Sequence, residues 1–151
     1  MAAWAAGRSD RFKAAVMCAG ISDWAMLAGT GTGERRTARR PAATAGGGQG
    51  RCPHQGQSPI SYVSQVRTPV LIVHGEQDTN VPLGQATYFH RALRRRGVPH
   101  AFVIYPREGH GLRERGHRLD FMRPTREWLD RWLKPAPQSR RRGIEGAAPA
   151  P

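Results

Sequence analysis

"TPVLIVHGEQDTNVP", residues 68–82, couples an apolar run to a polar loop without a break. Val70 to Val73 are consecutive branched aliphatic residues, the pattern of a strand covered on both faces. A strand wet on one side would alternate apolar and polar positions instead. A helix pattern starts at Pro82: Leu83, Ala86, Phe89 and Leu93 form one stripe to about Arg96, with Gly97 as its stop. "HAFVIYP", residues 100–106, repeats the strand pattern. Upstream, Ser58 and Pro59 read as the cap and first position of a helix. Further upstream, the helix formers "MAAWAA" turn through "GRSD" into "FKAAVMCA", a run of strand length. Downstream, the last helix carries Leu119, Met122, Leu129 and Trp132, and Pro124 is expected to break or kink it. Helix and strand alternating in this way predict an α/β layered fold with a parallel sheet.

The regular pattern occupies residues 58–133, preceded by a helix and strand in 1–28. Residues 29–57 contain no Leu, Ile, Val, Phe, Tyr, Trp or Met. Such a segment buries too little apolar surface to offset its ordering entropy, so it reads as a disordered insert. Its Arg-, Ala- and Gly-rich composition also fits GC-rich coding read out of frame between residues 34 and 52. Residues 134–151 read as a second low-complexity stretch, a disordered tail.

The formal net charge of +13 points toward a polyanion partner, but its distribution weakens that reading. Residues 34–51 hold five Arg against one Glu, and residues 134–151 four basic residues against one Glu, so much of the excess lies in the low-complexity segments. No specific nucleic-acid partner is expected. Cys18, inside "AAVMCAG", is expected to be a buried, reduced thiol. Cys52 and His54 alone are too few ligands for a zinc site, and no metal or cofactor is expected. With no signal-peptide pattern and no apolar run of membrane-spanning length, the expected compartment is the cytoplasm, with no membrane partner.

In open α/β sheets, ligands and reacting groups gather beyond the carboxyl ends of the strands. "HGEQDTNVP" places Asp78 there after one strand, and "YPREGHG" places His110 there after the next. Adjacent parallel strands would bring the two side by side. An Asp that accepts an imidazole N–H sets the tautomer and stabilises the imidazolium formed in proton transfer. Gly109 and Gly111 would allow a tight loop presenting the ring. Spacing alone equally fits a solvated histidine and a capping aspartate. His74, at a strand end, reads as a packed structural residue, and His117 as the start of an exposed helix. Glu76 and Glu108 stand close enough in sequence to tune the site.

Residues 58–133, with "HGEQDTNVP" and "EGHG", resemble the C-terminal end of the prolyl oligopeptidase family of serine peptidases, in its acylaminoacyl-peptidase-like and dipeptidyl-peptidase-like members. "AWAAGRSDRFKAAVMCAGISDW", residues 3–24, resembles the helix and strand that follow the family's nucleophile. The resemblance implies the C-terminal part of an α/β-hydrolase fold, with about three parallel strands, flanking helices and an incomplete sheet. It also implies that Asp78 and His110 are the acid and base of a Ser–Asp–His triad acting on a peptide substrate.

A hydrolase of this fold needs a serine on a Gly-x-Ser-x-Gly elbow, and none of Ser9, Ser22, Ser58, Ser61, Ser64 and Ser139 has that setting. The resemblance places the elbow just before Met1. The chain is therefore expected to be a catalytic-domain fragment without hydrolytic activity of its own, prone to self-association through exposed sheet edges. An esterase of the same fold and a non-catalytic basic binding module are the alternatives.

Overall fold

The computed structural model describes residues 1–31 and 55–134. Helix α1 (Ala2–Arg8) leads into strand β1 (Ala15–Cys18), and helix α2 (Trp24–Thr30) follows. Short 3-10 segments at Gln55–Gln57 and Pro59–Gln65 precede strand β2 (Val70–Gly75). Helix α3 (Gly84–Arg95), strand β3 (His100–Tyr105) and helix α4 (Arg115–Leu133) complete the order. The strands form one parallel sheet in the order β1-β2-β3, with Val70 opposite both Ala15 and His100. Among the described residues, β1 and β3 are open edges.

The central place of β2 explains its unbroken apolar run. Every β2 residue is buried. Val70 and Ile72 turn toward Ala3, Ala6, Ala86, Phe89 and Leu93. Leu71 and Val73 turn the other way, toward Tyr105 and Trp128. Fully burying one such aliphatic or aromatic side chain contributes about 1.5–3 kcal/mol, so this alternation holds both layers to the sheet. Helix α3 packs by the expected stripe and stops where expected. Gly97 has φ +66°, the left-handed conformation that only glycine takes without steric cost. It lets the amide of Val98 reach back to the Leu93 carbonyl at 3.1 Å.

Several expectations need correction. Helix α4 runs unbroken through Pro124. Phe121 before the proline, and Trp128 and Trp132 after it, pack against the same cluster, so both halves stay docked despite the missing N–H. That stripe lies to one side of the expected one: Leu119 and Met122 are 58% and 65% exposed. Pro59 does open a helical turn, but it is a 3-10 segment, and the Ser58 hydroxyl does not cap it. Ser58 Oγ instead accepts from the Trp24 amide at 3.0 Å, tying the start of α2 to this segment. Cys18 is exposed rather than buried, and partial desolvation raises its thiol pKa. Within the segment expected to be a disordered insert, Gly29 and Thr30 belong to α2 and Gln55–Gln57 to a 3-10 turn. Residues 32–54 and the tail from 135 lie outside the described residues.

Candidate active site at the strand ends

The loops after β2 and β3 lie against each other. The amide of Glu76 donates to the Tyr105 carbonyl at 2.9 Å, and that of Gln77 to the Glu108 carbonyl at 2.8 Å. Gly75 sits at this seam. A Cβ on it would lie 2.2 Å from the Gly109 oxygen and 2.5 Å from the Glu108 oxygen, so any side chain there would drive the loops apart.

Asp78 is held rigidly at the start of its loop. Its Oδ1 accepts from the amides of Asn80 and Val81, both at 2.9 Å, closing a turn that leads toward α3. Its Oδ2 stands 2.9 Å from His110 Nδ1. The Asp78 side chain is wholly buried, whereas that of His110 is 47% exposed. A carboxylate can only accept, so Nδ1 carries a proton, and in the neutral ring Nε2 is the nitrogen left to accept one. Buried Asp78 thus fixes the tautomer of a histidine that solvent, or a substrate, can reach.

His74 is the packed residue that its position implied. Its Nε2 lies 2.7 Å from the Val81 carbonyl, which can only accept, and a longer 3.5 Å from Asp78 Oδ2. The ring therefore braces the Asp78 turn from below, with Nε2–H aimed at the Val81 carbonyl. Neither glycine beside His110 takes a left-handed φ, and a Cβ on Gly111 would meet open space. The glycines thus leave room around the ring, as expected, without a backbone conformation that demands glycine. The left-handed residue here is Arg107, at φ +63°, whose guanidinium grips Glu114 at 2.9 and 2.8 Å. Those bonds raise the Arg107 pKa and lower that of Glu114.

Sequence reasoning undervalued Glu108 and His117. Glu108 is 2% exposed. Its carboxylate accepts from the amides of Arg113 and Glu114 at 2.8 and 2.9 Å and from His117 Nδ1 at 2.9 Å. Hydrogen bonds from those amides, the Arg113 one foremost, hold its pKa below the ordinary carboxylate value. His117 is therefore paired to a buried carboxylate rather than solvated. One signal was available: Glu114, at the N-cap of α4, makes no side-chain cap of its own, and Glu108 takes the Glu114 amide together with that of Arg113 before it. Glu108, Glu114 and His117 lie close enough to share an ion, but their ligand atoms are already committed to the bonds just named. Among the described residues, the Glu76 side chain meets the site through a 3.3 Å contact from the Arg107 amide.

An apolar cavity of about 740 Å³ opens at the carboxyl ends of the strands, beside His110 and Gly75. Cys18 and His74 form its strand side, and Leu119, Phe121 and Met122 its α4 side. A proton acceptor at the rim of an apolar cleft can serve acyl transfer, provided that a nucleophile is brought to Nε2. Asp78 is the one hydrogen-bond partner of the His110 ring among the described residues.

Comparison with known proteins bears on the family and the fold. Residues 1–136 match the Prolyl oligopeptidase family. Dipeptidyl-peptidase 5 of Porphyromonas gingivalis is 43% identical over 77 residues, covering 51% of this chain and 11% of that protein. The acylamino-acid-releasing enzyme of Rattus norvegicus is 45% identical over 58 residues, covering 38% of this chain and 8% of that enzyme. The solved acylaminoacyl peptidase of Pyrococcus horikoshii superposes with a TM-score of 0.76 at 26% identity, over 90% of this chain and 23% of its own. The chain thus spans about a tenth of those two relatives by sequence and under a quarter of the solved one. A match running from α1 through α4, on a parallel sheet of the same build as an acylaminoacyl peptidase, means that this chain belongs to the prolyl oligopeptidase family, in an α/β-hydrolase fold.

Proposed function

We propose that Asp78 and His110 are the acid and base of a serine-peptidase active site whose substrates, in the intact protein, are peptides. The observation that carries this reading is the 2.9 Å contact between a wholly buried carboxylate and a half-exposed imidazole at the strand ends. In this reading His110 Nε2 takes the proton of an attacking serine hydroxyl and returns it to the leaving amine. Asp78 stabilises the imidazolium in between. The chemistry calls for no metal or cofactor and for no specific nucleic-acid or membrane partner; among the described residues no helix is long and apolar enough to cross a membrane. The proposed compartment is the cytoplasm.

The same reading holds that the 151-residue chain alone does not hydrolyse peptides, because no serine in it occupies a Gly-x-Ser-x-Gly setting. Ser22, for one, is fully buried and bonded to Gln85. It also holds that the open β1 and β3 edges promote self-association. A fluorophosphonate probe should leave the isolated chain unlabelled, and stoichiometric labelling of one serine would overturn the inactivity. Sequencing the DNA upstream of the Met1 codon tests the rest. An open frame carrying Gly-x-Ser-x-Gly into Met1 supports the peptidase reading, and a stop codon directly upstream sinks it for this polypeptide. In a protein that contains the elbow, Asp78→Asn should lower kcat by about 10⁴-fold with folding intact.

A further inference from the structure

The loop that presents His110 poses a problem of order. It contains two glycines, neither in a left-handed conformation, and no neighbour crowds Gly111. The two glycines therefore do not by themselves fix where the imidazole points, yet its Nδ1 meets Asp78 at 2.9 Å. Holding that geometry against the entropy of a glycine-flanked loop needs an external constraint.

Glu108 supplies one at each end of the loop. Its main-chain carbonyl accepts from the Gln77 amide at 2.8 Å, beside Asp78. Its side chain turns inward and accepts from the Arg113 and Glu114 amides at 2.8 and 2.9 Å, beyond His110. The chain from 108 to 113 is thereby closed into a ring by one residue's own carboxylate, with His110 on its arc. His117, one turn into α4, donates a further bond at 2.9 Å, so the ring is anchored to the helix. The carboxylate is almost wholly out of water, where such charge-assisted bonds are strong and an unpaired oxygen or amide is costly.

We infer that Glu108 is the positioning residue for His110: its carboxylate clasps the 109–112 loop and so holds Nδ1 on Asp78. This rests on the reading of Asp78 and His110 as an acid–base pair, and it adds to that pair a residue that touches neither substrate nor the reacting atoms. Glu108→Gln keeps the shape but turns one accepting oxygen into an amide donor facing another N–H.

The test is imidazole NMR on the full chain, following exchange of the His110 Nδ1 proton with water. In wild type that proton should be protected, and Asp78→Asn should remove the protection. In Glu108→Gln its exchange should quicken about tenfold, the factor that losing one charge-assisted hydrogen bond gives. Amide signals of β2 and α3 should stay in place. His117→Ala, which removes one of the bonds from a partly exposed position, should give a smaller increase, and His117→Asn, which can still donate, should reverse it. This pair decides the matter if Glu108→Gln does not fold. Exchange unchanged in the folded variants, with shifts confined to the Arg113 and Glu114 amides, would reduce Glu108 to a helix cap and overturn the inference. A wild-type His110 proton that is unprotected, or insensitive to Asp78→Asn, would instead refute the acid–base pair itself.

Discussion

The two faces of the sheet are built to different standards. On one, Val70 and Ile72 of β2 meet Ala86, Phe89 and Leu93 of α3, all 0% exposed. On the other, Trp128 is 9% exposed, while Leu119 and Met122 of α4 stand 58% and 65% in solvent beside the cavity that His110 borders. The closed face is sealed from both directions along the chain, by α1 from before β2 and by α3 from after it. The open face is covered by α4, and its exposed portion lies at the strand ends where Asp78 and His110 meet. Stability concentrates on one side and accessible chemistry on the other.

The largest effect should therefore come from the closed face. Phe89→Ala should cost about 3–5 kcal/mol in urea or thermal unfolding, since the truncation leaves a cavity at a side chain that is 0% exposed. A Trp128→Ala variant losing more than Phe89→Ala would reverse the contrast. Next comes the polar lock between α2 and α3. Gln85 is 0% exposed, and its side-chain oxygen accepts from the Ser22 and Asp23 amides and from the Ser22 hydroxyl at 2.8–2.9 Å. Gln85→Ala strands the two amides, while the Ser22 hydroxyl keeps the Gln85 main-chain carbonyl at 2.8 Å, and should cost about 2–3 kcal/mol by the same measurement.

On the open face, pH is the more telling probe. Burial first, and the 3.0 Å hydrogen bond to Asp120 second, push the Tyr105 pKa up to about 12. The folded value lies above the ordinary tyrosine value of about 10, so the folded chain holds that proton more tightly. This contribution is complete below pH ~10 and is lost as pH rises from there through 12, an amplitude of about 3 kcal/mol. Chemical denaturation across that range should show the decline in wild type and a shallower one in Tyr105→Phe. Asp120 is shifted the other way, its pKa lowered first by Arg123 and then by Tyr105. The smallest effect is expected at the cavity wall. Leu119→Asp and Met122→Asp should change stability by no more than about 0.5 kcal/mol, because neither is packed. A loss above about 1 kcal/mol in either would show that this face is covered in solution, with a second copy of the chain as the first occupant to seek by sedimentation.

Local pattern carried a definite share of this architecture. The unbroken run Val70–Val73 implied a central strand, and Leu83, Ala86, Phe89 and Leu93 implied the buried stripe of α3, because burial on a strand or helix repeats with a short period. Gly97 marked the end of α3 for a backbone reason independent of its surroundings. Asp78 and His110 could be singled out because each follows a strand at a position where parallel order brings loops together.

The remainder depends on partners distant in sequence. Whether α4 presents Leu119 and Met122 or Phe121 and Trp128 to the sheet is a rotation of one helix by part of a turn. Periodicity does not choose between neighbouring stripes, and the packing against Leu71 and Val73 does. Cys18 reads as core in any apolar run, yet it ends an edge strand and stays exposed. Ser58 looks like a cap but serves the Trp24 amide, 34 residues away. Glu108 looks like a surface charge before a glycine; the loop's return brings the Arg113 and Glu114 amides to its carboxylate, and α4 brings His117. Residue type and spacing thus settled the three strands and α3 and nominated the acid–base pair. Tertiary packing alone settled burial, helix rotation and the clasp on His110, because a hydrogen bond depends on where both groups lie in space.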